Sequence, residues 1–183
     1  KGEEIQVKRI YNRVIFDELD LRTDLQLNFD FSKSYDVEWA GHPNWFFRIS
    51  KFILPYLKGK YFIETTLLSD LKEIPNDLEN YVLKPLFSFS GSGVIFHVKR
   101  EDIEAVTEKD LYILQKKVHY KPIIQSPDGL VKAEVRILAV WPKDDEKPTL
   151  VTNLVRLSRG EMIGVKFNKD KDWVGGTVGM FEK

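Results

Sequence analysis

The stretch GLVKAEVRILAVWP, residues 129–142, constrains the fold more than any other part of the chain. Val131, Ala133, Val135 and Ile137 alternate with Lys132, Glu134 and Arg136. Successive side chains of a strand point to opposite faces, so this pattern predicts one long strand with an apolar face and a charged face. Asp128-Gly129 just before it is a turn signal, which pairs residues 120–124 with it. PTLVTNLVRLSR, residues 148–159, reads as another strand, with EMIGVKF at 161–167 as a further one. The tail from Asn168 onward is loop-like. The second half is therefore mostly antiparallel sheet.

The first half mixes both periodicities. Ile5, Val7 and Arg9 alternate as in a strand, and Val14, Ile15 and Leu19 suit a short helix. A polar connection follows over 22–42, with a strand near 35–39. HPNWFFRISKFILPYLKG, residues 42–59, reads as the clearest helix, with Pro43 in its first turn and Pro55 at its end. Trp45, Phe46, Ile49, Phe52 and Ile53 form its apolar stripe, so its Trp and Phe residues are expected in the core. Arg48 and Lys51 fall off that stripe. Short strands follow at 61–66, 81–86, 94–98 and 110–118, with short helices at 67–74 and 99–107. The fold class is α+β in two lobes. The expected segments are an N-terminal strand, helix and connection over 1–41, a first lobe over 42–110 and a second over 111–183.

Lys plus Arg equals Asp plus Glu at 28 each, so the chain lacks the basic excess of a general nucleic-acid or membrane-surface binder. It has no cysteine, hence no disulfide and no thiolate metal site. Its opening, Lys-Gly-Glu-Glu, carries no apolar signal segment. The most apolar stretch, WFFRISKFILPYL, is broken by Arg48 and Lys51 and is too short to cross a bilayer. A cytoplasmic protein is expected. His42, His97 and His119 show no metal-ligand spacing.

YVLKPLFSFSGSGVIFHV, residues 81–98, carries the chemistry. A lysine, Lys84, lies inside a strand, and a Ser/Gly loop with Gly91, Ser92 and Gly93 follows. Backbone N–H groups of such a loop can converge on an anion, and glycine lets a phosphate approach. The order is not that of a P-loop, whose lysine follows the loop and opens a helix. The residues alone leave two readings open. One is a phosphate grip; the other is a plain hairpin tip with Lys84 snorkelling from a strand edge. Lys132, Glu134 and Arg136 likewise fit either a site or a solvated face with an ion pair.

Lys84-Pro85, five residues, then Gly91-Ser92-Gly93-Val94 resembles the lysine and glycine-rich loop of the ATP-grasp family. Upstream, SKFILPYLKGKYFIETT is similar to the family's segment opened by a lysine, here Lys51. Downstream, YILQKKV is similar to the hinge strand, KAEVRILAV to the strand with an acid and an arginine two apart, and TNLVRLSRG with FNKDKDWVGG to the arginine strand and the Asn…Gly-Gly loop. HPNWFFRISKFILPYL before the loop is closest to the circularly permuted, glutathionylspermidine-synthase-like branch, and the resemblance spans about residues 40–177.

The resemblance implies ATP held between two lobes and an acylphosphate made from a small-molecule or peptide carboxylate, then displaced by an amine or thiol. Lys84 would neutralise the α/β-phosphates, with Lys51 nearby, and Gly91, Ser92 and Gly93 would cover the outer phosphates. Gln115, Lys116 and Val118 would meet adenine. Arg136 and Arg156 would be the catalytic cations, and Arg159 is an alternative to Arg156. Asn168 and Gly175-Gly176 would contact phosphate or substrate, and Glu134 would hold Mg²⁺. Three departures accompany this. Lys116 and Lys117 stand where the family has an acid for the ribose, Lys166 stands where a metal-binding glutamate is usual, and Ser50 replaces the acid before Lys51. The chain is expected to be the ATP-binding part of such a ligase, and the departures favour, as the alternative, a non-catalytic nucleotide-binding or regulatory module that has lost its metal site. A protein-interaction domain with an ordinary hairpin is the third. The acceptor and the oligomeric state carry no sequence signal.

Overall fold

A computed structural model describes residues 3–88, 91–164, 168–171 and 174–180. It is a mixed α+β structure with antiparallel sheets and few helices. Contacts divide it into two compact units, Lys1–Lys117 and Val118–Lys183.

In the first unit, β1 (Arg9–Tyr11) pairs in parallel with β2 (Glu38–Ala40), and α1 (Phe16–Asp20) lies between them in sequence. The main sheet has the order β3-β5-β4, from Thr65–Leu67, Tyr112–Lys116 and Tyr81–Pro85, all antiparallel. Strand β5 is central because it is apolar on both faces. Leu114 packs with Leu83, Leu68, Val98 and Ile103 on one side, and Ile113 packs with Leu67 and Leu86 on the other. Helix α3 (Arg100–Glu104) supplies Ile103, and its first turn is fixed by the Asp102 carboxylate accepting the Lys99 N–H at 2.8 Å. Each fully buried leucine or isoleucine here contributes about 1.5–3 kcal/mol by leaving water.

The expected helix over 42–54 breaks in two. Helix α2 covers only Trp45–Ile49, and a 3₁₀ segment covers Lys51–Tyr56. Ser50 between them is extended, and its hydroxyl accepts the Phe52 N–H at 3.3 Å, a local bond that competes with the helix ladder. Pro55 has no N–H to give to a helical partner. The expected core stripe is largely unburied too: Trp45 is 52% exposed and Ile49 77%. Phe52 and Leu54, from the 3₁₀ segment, are what cover the Ile113 side of the sheet. The strand expected over 94–98 reduces to a single bridge, Leu83 to Ile95. The helix expected over 67–74 reduces to a 3₁₀ turn, Leu68–Asp70.

The second unit is a four-stranded sheet of order β6-β7-β8-β9, from Ile124–Ser126, Gly129–Val140, Thr149–Ser158 and Gly175–Thr177. The expected turn is present: Gly129 has φ +113°, and the Ser126 hydroxyl donates to its carbonyl at 2.6 Å. Register puts Glu134 opposite Arg156, and Val135 opposite Val155 on the other face. Val131 and Val155 are buried, whereas Val135 and Ile137 are half exposed. Of the strand expected at 161–167, residues 161–164 form bends, and 165–167 lie outside the described residues. Among the described residues no helix is long and apolar enough to cross a membrane.

Candidate functional site

Lys84 stands on the Ile113 face of the first sheet, opposite Ile113 in register. Its ammonium donates to Gln115 Oε1 at 2.6 Å. Gln115 is buried and its Nε2 donates to Thr65 Oγ1 at 2.8 Å, which in turn donates to the Ile63 carbonyl at 2.9 Å. The chain of bonds runs one way, from ammonium to carbonyl, and it fixes the amide with its oxygen toward the lysine. An ammonium has three donors, and among the described residues this one spends a single donor, on a neutral amide. Burial alone pushes the Lys84 pKa below the ordinary lysine range, with no carboxylate to oppose it.

Beyond β4 the chain returns to that strand at Ile95. Leu83 and Ile95 exchange two backbone bonds, 3.0 and 2.9 Å. Gly91 and Gly93 have φ +77° and +67°, where a side chain is strained, and a Cβ on Gly93 would meet the Pro85 ring at 3.0 Å. The N–H groups of Gly91, Ser92 and Gly93 have no hydrogen-bond partner among the described residues. Lys51 opens the 3₁₀ segment and reaches back to the loop. Its ammonium donates to the Ser88 carbonyl at 2.8 Å, the Ser88 hydroxyl at 3.0 Å and the Leu86 carbonyl at 3.3 Å. Lys51 and Gly91 line one hollow of about 280 Å³ with Phe46, Ile49 and Leu86.

Past β5, Lys116 pairs with Glu64 at 2.6 Å, both largely exposed, and its N–H bonds the Glu64 carbonyl. The Lys117 N–H goes to the Asn80 carbonyl, and its ammonium lies 4.5 Å from the Phe96 ring centre. Val118 is exposed, and its N–H has no partner among the described residues.

In the second unit, Glu134 Oε1 accepts from Arg156 Nε at 2.8 Å, from Arg156 Nη2, and from Arg136 Nε at 3.2 Å. The Tyr120 hydroxyl is 3.5 Å from Glu134 Oε2; burial first, then the Glu134 charge, raise its pKa and keep it neutral. Arg159 instead pairs with Asp128. Asn168 is buried and ties the loop after β8. Its Oδ1 accepts from the Ser158 hydroxyl and from the Arg159 and Gly160 N–H groups, and its Nδ2 donates to the Gly164 carbonyl at 2.7 Å. Both ends of its amide are thus spent inside the loop. Gly175 and Gly176 form part of β9, and Gly176 faces Arg156 in register. Among the described residues no three His, Asp or Glu side chains gather as a metal-binding group.

The chain matches no protein-family model, no curated protein and no solved structure. What can be said of the site therefore rests on its own geometry. Lys84 meets Gln115, and Lys51 meets the glycine loop, all within the first unit. Arg136, Arg156 and Glu134 meet within the second. Thr65, Ser88 and Tyr120 complete these contacts and were not singled out from the sequence. A buried Gln115 in an apolar strand was the available signal for Thr65, since a buried amide requires a partner.

Proposed function

We propose that this chain binds ATP as the nucleotide-binding part of an ATP-grasp-like carboxylate–amine or carboxylate–thiol ligase. The observation that carries the reading is Lys84, a partly buried ammonium whose one described partner is a neutral amide. A buried cation without a counter-charge is costly, and an arriving phosphate supplies that charge. Lys84 is the cation for the inner phosphates. The N–H groups of Gly91, Ser92 and Gly93, without a partner among the described residues, serve the outer ones, and Lys51 holds the loop's entry through Ser88. The exposed Val118 N–H, three residues beyond Gln115, suits the acceptor edge of adenine.

Glu134 does not fit as a Mg²⁺ ligand. One oxygen is taken by two guanidiniums, and a single arginine-bound carboxylate is a poor holder of a hard dication. No step is assigned to a protein-held magnesium. The same carboxylate geometry favours a second reading, a nucleotide-binding module without turnover. ATP binding with no phosphate release, whatever carboxylate and amine are supplied, would mark that alternative.

Isothermal titration of ATP into wild-type protein and Lys84→Ala tests the lead reading. The variant is expected to bind at least about tenfold more weakly, a loss of about 1.4 kcal/mol. Equal affinities would remove Lys84 from the site and the reading with it.

A further inference from the structure

Described residues of β8, of β9 and of the segment between them line a cavity of about 480 Å³ in the second unit. Leu154, Leu157, Ile163 and Val174 give it apolar walls, and the charged residues among its described lining, Arg156 and Lys169, are both cations. Arg156 spends Nε and Nη2 on Glu134, and its Nη1 has no partner among the described residues. Arg136 draws on the same Glu134 oxygen, so two guanidiniums share one carboxylate and the cluster keeps one positive charge in excess. Tyr120, a neutral hydroxyl beside Glu134, does not change that balance. An unspent guanidinium edge against apolar walls is a site for one negative charge joined to an apolar body.

We propose that this cavity binds a small monoanion with an apolar body, a medium-chain or aromatic carboxylate, its carboxylate on Arg156 and its body against Leu154, Leu157 and Ile163. Cavities of this size, mostly apolar with a few placed polar groups, are the usual form of small-molecule sites. The inference goes beyond the nucleotide reading. It uses no residue of the first unit and stands or falls without ATP.

The test is a calorimetric titration of octanoate, with octanamide as the uncharged control, into the whole protein without nucleotide. Octanoate is expected to bind at least about tenfold more tightly than octanamide. Leu154→Trp, at a partly exposed strand position, fills the cavity and is expected to weaken octanoate at least about tenfold. Ile163→Trp fills it from the loop side and serves the same purpose if the first variant unfolds. Equal affinity for the amide, unchanged affinity in a folded filled variant, or no saturation by about 10 mM would overturn the proposal. Octanoate binding that persists in Lys84→Ala while ATP binding is lost separates the two readings.

Discussion

Lys84 shows what one residue can say and what it cannot. A lysine inside an apolar strand was plain in the sequence, but a snorkelling side chain and a phosphate ligand look the same there. The structure adds that the ammonium points along the buried amide of Gln115 rather than out to a carboxylate. That has a pH consequence. The folded-state pKa lies below the ordinary 10.5, so the unfolded chain binds the extra proton between the two values. The charged lysine is a cost to the fold at neutral pH, and the cost fades as pH rises from the depressed value to 10.5. For a phosphate ligand the sign is opposite. Only the protonated lysine attracts it, so ATP affinity is expected to fall as pH rises through the depressed pKa. A calorimetric pH series should show the fall in wild type and a flatter profile in Lys84→Arg, whose charge persists. Asn168 teaches the reverse lesson. Its match to a substrate-contacting asparagine was legible, yet its amide is used up within the loop after β8, which only the folded loop reveals.

At the scale of elements, the long alternation of the second half was readable, whereas the long apolar stripe of the first half did not make one helix. The alternation from Val131 to Ile137 became β7 with Glu134 facing Arg156, because a strand's faces follow directly from residue parity. The apolar stripe from Trp45 to Ile53 did not become one helix, because Ser50 and Pro55 interrupt the ladder. Its aromatic residues then lie largely outside the core. The strands that matter most are those around β5. Leu83→Ala, at a fully buried side chain in β4, is expected to lower unfolding free energy by about 2–5 kcal/mol in urea denaturation. Gly93→Ala places a Cβ near the Pro85 ring at φ +67° and is expected to cost about 1–2 kcal/mol in the same assay.

For the whole molecule, the α+β class was legible from where alternation dominates and where it does not. Strand order was not. Strand 112–116 reads locally like the start of the sheet-rich half, yet it is the centre of the first unit's sheet, between β3 and β4. Its partners lie far along the chain, and pairing over such distances leaves no mark in periodicity. The same long-range closure brings Gln115 to Lys84 and Thr65, so the candidate site and the topology were hidden for one reason. The most direct test of the central claim is the proton count on ATP binding to the whole protein. Titrations at pH 9 to 10 in two buffers of different ionisation enthalpy measure it, a range chosen as roughly the interval below the ordinary lysine value. Wild type is expected to take up protons and Lys84→Arg to lose the uptake, since phosphate returns the depressed lysine to its charged form. ATP binding with no uptake, or with the same uptake in Lys84→Arg, would contradict that claim.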